Sequence, residues 1–219
     1  MNDHYFSASP QSSFTRTPVD VSVWGSNLSL VSASGVFAQG RVDVGTSVLF
    51  RVTSGPGAQA RHLLDLGTGY GVIGCALATT APSAHVWAVD VNERALQLAA
   101  ENAARIGVSD RFTAAVPDAV PTEVRFDEIW SNPPIRIGKP ALHTLLQRWL
   151  PRMSPNGRAV LVVGKNLGAD SLQRWLVQQG YACDRIGSAK GFLRGSARER
   201  FETRRDWPAA YAGSAMRGG

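Results

Sequence analysis

From residue 61 the chain switches repeatedly between short apolar runs and longer segments with helical spacing, and this alternation restricts the fold more than any other feature. The runs HLLDL (62–66), HVWAV (85–89), RFTAA (111–115), FDEIWS (126–131), AVLVVG (159–164) and YACDRIG (181–187) have the length and apolar content of strands. Between them GVIGCALATT, NERALQLAAENAARIG, PALHTLLQRWLPRM and ADSLQRWLVQQG place apolar residues three and four apart, along one helix face. Helices of that length supply the crossovers that parallel strands need, and the sheet they make is covered on both faces. The sequence therefore predicts an α/β fold with a doubly wound, mostly parallel sheet. Ligands of such sheets bind beyond the carboxyl ends of the strands.

The residues before this core follow a different pattern. VDVSVWGSNLSLVS (19–32) alternates Val19, Val21 and Val23, carries a GSN turn, and resumes with Leu28 and Leu30, as a β-hairpin does. A glycine-bearing loop at 35–45 leads into TSVLFRV, a short helix, and SGPGAQ (54–59) has the composition of a linker. With 219 residues we expect one domain. It divides into an N-terminal hairpin and loop extension packed on the core (1–57), the core itself (58–194) and a basic, flexible tail (195–219).

Several function classes are disfavoured. The longest clean apolar run, AVLVV at 159–163, is far short of the roughly 20 residues of a membrane helix. MNDHYFSASP lacks the basic and apolar regions of a secretory signal, so a cytoplasmic protein is expected. Cys75 and Cys183 sit in apolar segments without CxxC or Cys/His spacing, which predicts buried thiols and no metal site. The net charge of +6 lies wholly in the last third, where residues 151–219 hold 12 basic and 5 acidic side chains. Such an excess attracts phosphate and so nucleic acid, although 20 of the 23 basic residues are Arg in a chain rich in Ala and Gly, which compositional bias would also produce.

The chemistry concentrates in two loops. GTGYGVIG (67–74) follows the first core strand, and residues 69–74 satisfy GxGxxG with Asp90 lying 21 residues beyond Gly69, the spacing of a dinucleotide site. Asp65, however, ends the preceding strand, where its carboxylate would oppose a pyrophosphate and suit a cation. S-adenosylmethionine carries a sulfonium and an ammonium, has no phosphate, and offers a ribose diol to Asp90. Asp65 also fits a turn-forming carboxylate, and Asp90 a helix cap, although Asn92 is better placed to cap the helix beginning near Glu93.

The second loop is SNPP at 131–134. Each proline lacks an N–H and biases its predecessor toward extended backbone, so the corner presents the Asn132 amide oxygen and the Pro133 carbonyl with few donors beside them. A planar NH2 suits two such acceptors. Gripping both protons aims the nitrogen at a methyl donor, which is catalysis by orientation and charge stabilisation rather than by a strong base.

DLGTGYG, Asp90 and SNPPI together resemble class I methyltransferases that modify exocyclic or amide nitrogens, whose core is Rossmann-like. HYFSASP (4–10), SGVFAQGRVDVGT (34–46) and SNPPIRIGK resemble, more narrowly, the ribosomal RNA guanine-N2 methyltransferases that contain the small-methyltransferase domain. The resemblance extends from residue 4 to about 193. It implies Asp65, Gly67 and Gly69 around the cofactor's methionine and ribose, Asp90 on the ribose, Asp118 near the adenine, and Asn132 with Pro133 on the amine. Phe37, Asp43 and Thr46 would close over cofactor or base, or pack structurally against the sheet. Pro134, Ile135 and Arg136 would meet the substrate, with Arg136, Lys139 and Lys165 as phosphate contacts or solvated charges. Ile135 stands where many nitrogen methyltransferases carry a stacking aromatic residue, so Phe37 or another aromatic residue would compensate, or the base would be held differently. After KGF (190–192) the family's apolar closing strand is replaced by LRGSARERFETRRDW, leaving completion of the sheet open.

The implied activity is methyl transfer from S-adenosylmethionine to guanine N2 of 16S ribosomal RNA, with the RNA or the small ribosomal subunit as partner and no metal or membrane. A protein glutamine or small-molecule amine is the nearest alternative. An NAD-dependent oxidoreductase and a noncatalytic RNA-binding module are the alternatives from other classes.

Overall fold

The computed structural model describes residues 15–36, 40–133, 137–164, 168–190 and 197–204. In chain order these form β1 (Arg16–Val23), β2 (Ser26–Ala33), α1 (Val44–Val52), β3 (His62–Leu66), α2 (Val72–Thr80), β4 (His85–Val89), α3 (Glu93–Arg105), β5 (Phe112–Ala115), β6 (Phe126–Ser131), α4 (Gly138–Trp149), β7 (Met153–Gly164), α5 (Ala169–Gln178), β8 (Ala182–Lys190) and β9 (Ala197–Arg204). One sheet has the order β5-β4-β3-β6-β7-β9-β8, and β1 pairs with β2 alone as an antiparallel hairpin. The five strands from β5 to β7 are parallel. The order reverses between β3 and β6, so a ligand cleft is expected where the loops after these two strands diverge.

Side-chain alternation along the strands produces two apolar layers. Leu63, Val160 and Val162 pack into a cluster with α2, α3 and the hairpin, whereas Leu64, Leu66, Leu161 and Val163 pack with α4 and α5 on the opposite face. Val19, Val21, Val23, Leu28 and Leu30 are buried in the first of these clusters, so the hairpin shares the core's interior. Asn102 on α3 fastens it there. Its Oδ1 accepts from Val31 N at 2.7 Å, and its Nδ2 donates to Val31 O at 2.8 Å and to Tyr70 O in the glycine loop at 2.7 Å.

The hairpin turn departs from expectation. Val23 pairs with Ser26, so the turn is Trp24–Gly25 rather than GSN. Both residues have positive φ, 47° and 83°, as a two-residue hairpin loop of matching twist requires. A tryptophan is held there by tertiary contacts. Its Nε1 donates to Phe50 O and Thr53 O at 3.2 and 2.8 Å, and its ring meets Phe50 and Trp130 edge to face.

The C-terminal expectation needs a larger correction. Residues 197–204 are a strand, β9, inserted antiparallel between β7 and β8, with Arg158 paired to Arg204 and Gly164 to Arg198. ARERFETR has one large apolar residue, Phe201, so apolar content does not reveal it. Ladder hydrogen bonds to two neighbours hold a strand whatever its hydropathy. Residues 197–204, predicted as part of a flexible tail, are therefore strand, and residues 205–219 lie outside the described residues.

At the amino ends of the strands, Glu128 organises a buried polar knot. Its Oε1 accepts from Gly57 N at 2.8 Å and lies 3.1 Å from Arg158 Nε; its Oε2 accepts from Trp130 Nε1 at 2.8 Å and Arg158 Nη2 at 3.2 Å. The same guanidinium donates to Gly55 O at 3.0 Å. This knot ties the 54–59 segment beneath the sheet.

Candidate active site

The loop after β3 is shaped by its own carboxylates. Asp65 is fully buried, and its Oδ2 accepts from Thr68 Oγ1 at 2.5 Å and from Gly74 N at 2.7 Å, which folds the loop back over the strand end. The 21-residue spacing noted in the sequence is a direct contact: Gly69 N donates to Asp90 Oδ2 at 2.9 Å, while Asp90 Oδ1 accepts from Asn92 N at 3.0 Å. Asn92 caps α3, as its position suggested, accepting from Arg94 N at 3.0 Å. Gly69, at φ 57°, has nothing within 4 Å of where a Cβ would stand, whereas at Gly71 a Cβ would lie 2.9 Å from Ala99 Cα. The first glycine leaves room for a ligand against backbone; the second lets α3 close on the loop.

Both acids are electrostatically frustrated. Burial pushes the Asp65 carboxyl up from 3.8 to about 7; the bonds from Thr68 and Gly74 offset only part of this, and the nearby Asp90 charge adds to it. Burial also raises Asp90, against the pull of the Asn92 and Gly69 amides. Asp65 Oδ1 is buried without a hydrogen-bond partner.

Asn132 follows β6 across the cleft, 9 % exposed. Its Nδ2 donates to Asp43 Oδ2 at 2.8 Å and to Thr46 Oγ1 at 3.0 Å. Both acceptors come from the start of α1. Asp43 is its N-cap, taking Gly45 N at 2.7 Å, and Thr46 is buried in its first turn. With both amide protons engaged, Oδ1 is the end of the side chain left for a ligand. Asp43, Thr46, Gly67, Gly69, Tyr70 and Asn132 are among the residues lining one cleft. Among the described residues, neither Lys nor Arg lines it.

The sequence-predicted residues separate into three groups. Gly67, Gly69 and Asn132 line the cleft, Asp65 and Asp90 brace its glycine loop, and Pro133 is buried beside Asn132. Asp118 stands after β5 with its carboxylate 91 % exposed, paired to Arg148 Nη2 at 2.7 Å. Phe37, Pro134, Ile135, Arg136 and Lys165 lie outside the described residues; Lys139 is exposed at the start of α4. Thr68, Tyr70 and Asn102 were not singled out from sequence. A hydroxyl three residues after Asp65 was a usable signal for Thr68, whereas Asn102 sits in an ordinary helical pattern. Cys75 and Cys183 are buried and in no disulfide, and burial with the Asp65 charge pushes the Cys75 thiol up.

The profile of the family described as methyltransferase small domain matches residues 27–192. The chain belongs to this family. It is similar to the uncharacterized protein YbxB of Bacillus subtilis, 31 % identical over 173 residues that cover 78 % of this chain and 86 % of that one. It is also similar to ribosomal RNA small subunit methyltransferase C of Hahella chejuensis, 35 % identical over 144 residues, 64 % of this chain and 41 % of that protein. The chain thus spans about two fifths of the length of that methyltransferase. Among solved structures, the T. thermophilus 16S rRNA N2 G1207 methyltransferase (RsmC), in complex with AdoMet and guanosine, shares the fold at a TM-score of 0.73 and 22 % identity, over 90 % of this chain and 52 % of that one.

As a methyltransferase of this family the chain uses S-adenosylmethionine, and the chemistry of the groups around the cleft suits that molecule. Among the described residues no lysine or arginine lines the cleft, Asp65 beneath the glycine loop keeps a buried oxygen without a hydrogen-bond partner, and the backbone at Gly69 is open to close approach. These features favour a cationic ligand and disfavour a pyrophosphate. Among the described residues no group of His, Cys, Asp and Glu could hold a metal, and no helix is long and apolar enough to cross a membrane.

Proposed function

We propose that the chain methylates an exocyclic amine of RNA, the N2 amine of a guanine in 16S ribosomal RNA, acting in the cytoplasm on the RNA or the small subunit. The observation that carries this reading is the fixed Asn132 amide: its protons are held by Asp43 and Thr46, and its oxygen remains for a donor. The similarity to ribosomal RNA small subunit methyltransferase C, which extends over more of the chain than that to a release factor glutamine methyltransferase, supports the choice of an RNA amine over a glutamine amide.

In this mechanism Asn132 Oδ1 and the Pro133 carbonyl accept the two protons of the target NH2, holding its nitrogen toward the cleft. The bound cofactor supplies an electrophilic methyl carbon on a sulfonium. Asp65 would offer Oδ1 to its cationic methionine end, Asp90 the remaining acceptor capacity of its oxygens to the ribose hydroxyls, Gly67 and Gly69 the open backbone between, and Asp118 a contact near the adenine. As positive charge develops on the amine, the two oxygens stabilise it, and the surplus proton leaves to water. The base must be swung out of its stack to enter, at a cost of a few kcal/mol. Phe37, Pro134, Ile135 and Arg136 would receive it.

The test is to incubate the protein with radiolabelled S-adenosylmethionine and small subunits from a strain lacking it. Asn132→Ala is expected to lower transfer by about 10²-fold or more while leaving S-adenosylhomocysteine affinity almost unchanged. Full activity in that variant would contradict the amine-gripping role.

A further inference from the structure

An asparagine amide has two ends of nearly equal size, one accepting and one donating, and its rotamer alone does not decide which faces a ligand. Here a carboxylate decides. Asp43 Oδ2 and Thr46 Oγ1 take both Nδ2 protons, and an ionised carboxylate has no proton to give, so the nitrogen end must turn toward it. We infer that Asp43 is a positioning residue for methyl transfer, acting through Asn132. This rests on the amine-gripping role proposed above. By anchoring the donor end, Asp43 keeps Oδ1 in the cleft and removes the alternative in which the amide turns over and presents N–H groups to the target amine. A negative charge at the nitrogen end also polarises the amide, making its oxygen a stronger acceptor as the amine becomes positive.

Asp43 has a second task that must be separated from this one. Its Oδ2 accepts from Gly45 N at 2.7 Å and its backbone oxygen from Ser47 N at 2.9 Å, capping α1. Asp, Asn and Ser cap helices about equally well. A role confined to the cap therefore predicts that Asp43→Asn and Asp43→Ser behave like the parent. Positioning predicts a gradient. An amide oxygen in place of Oδ2 keeps the shape but loses the charge and the obligation to accept, whereas a serine hydroxyl is too short to serve both Gly45 and Asn132.

The experiment compares kcat, KM for small subunits, S-adenosylhomocysteine affinity and melting temperature for Asp43→Asn, Asp43→Ser and Thr46→Val. We expect kcat, measured at saturating S-adenosylmethionine, to fall several-fold in Asp43→Asn and by about 10²-fold in Asp43→Ser, with KM for small subunits and melting temperature little changed. Thr46→Val, which leaves the cap intact, should lose kcat several-fold and covers the case in which Asp43→Ser does not fold. Adding Asp43→Ser to Asn132→Ala should cost nothing further. Parent-like kcat in Asp43→Asn and Thr46→Val, with Asn132→Ala inactive, overturns the inference and leaves the amine grip standing. Activity in Asn132→Ala removes the grip itself.

Discussion

Two buried carboxylates on neighbouring strands are treated in opposite ways. Glu128 on β6 sits opposite Leu63 of β3, and each of its oxygens meets both an N–H donor and the Arg158 guanidinium. Asp65 lies two residues further along β3, opposite Trp130, and its hydrogen-bond donors are one hydroxyl and one amide, with Oδ1 left over. A carboxylate neutralised on every side is part of the frame. One left short of partners, at the carboxyl end of a strand where ligands bind, is in the proposed mechanism capacity held for a cation.

Removing each acid sharpens the contrast most. Glu128→Ala strands a partly buried guanidinium, the Gly57 amide and the Trp130 indole, and is expected to lower unfolding stability by about 3 kcal/mol, read by denaturant titration. Asp65→Asn should leave stability at pH 8 equal or higher while weakening S-adenosylmethionine about tenfold or more, the loss of one charge-assisted contact. If both variants lost stability equally and cofactor affinity equally, the two ends of the sheet would not differ in kind.

A pH titration separates them next. Asp65 binds its proton more tightly folded than unfolded, at about 7 against 3.8, so the folded state holds more protons between those values. Stability from this group is fully present below pH 4, falls as pH rises toward 7, and levels above it, a swing on the order of 4 kcal/mol. Asp90, raised in the same direction, adds to the slope. Asp65→Asn should flatten the ligand-free profile, and in the parent protein cofactor affinity should increase from pH 5 to 8 as Asp65 ionises to meet the cation. An unchanged slope in Asp65→Asn would locate the titration elsewhere.

The smallest effect belongs to an exposed pair. Arg16 Nη2 and Glu101 Oε2 lie 3.0 Å apart with side chains 47 % and 35 % exposed, and Arg16→Ala should change stability by less than about 0.5 kcal/mol. A large loss there would mean that solvated charges steer this fold as much as buried ones.

The parts legible in the sequence are those set by local chemistry. Strand and helix alternation predicted the parallel sheet because apolar periodicity follows burial, and HLLDL, HVWAV and FDEIWS coincide with β3, β4 and β6. The glycine loop, Asp90 and SNPP were visible because backbone turns and proline restrict residue choice. The Trp24–Gly25 turn was missed because contacts from Phe50, Thr53 and Trp130 override a local preference. β9 was missed because its pairing is made by backbone. The hold of Asp43 and Thr46 on Asn132 spans 89 and 86 residues, and no sequence pattern couples a helix cap to a distant amide.

The central claim is that the cleft directs an NH2 nitrogen, and nothing else, onto the methyl donor. Mass-spectrometric nucleoside analysis of 16S ribosomal RNA, after reaction of small subunits with isotopically labelled S-adenosylmethionine, tests it most directly. The label is expected in N2-methylguanosine with the parent protein and to disappear with Asn132→Ala. Label on a ribose oxygen or a ring nitrogen, or N2-methylguanosine formed equally by both proteins, would contradict the account.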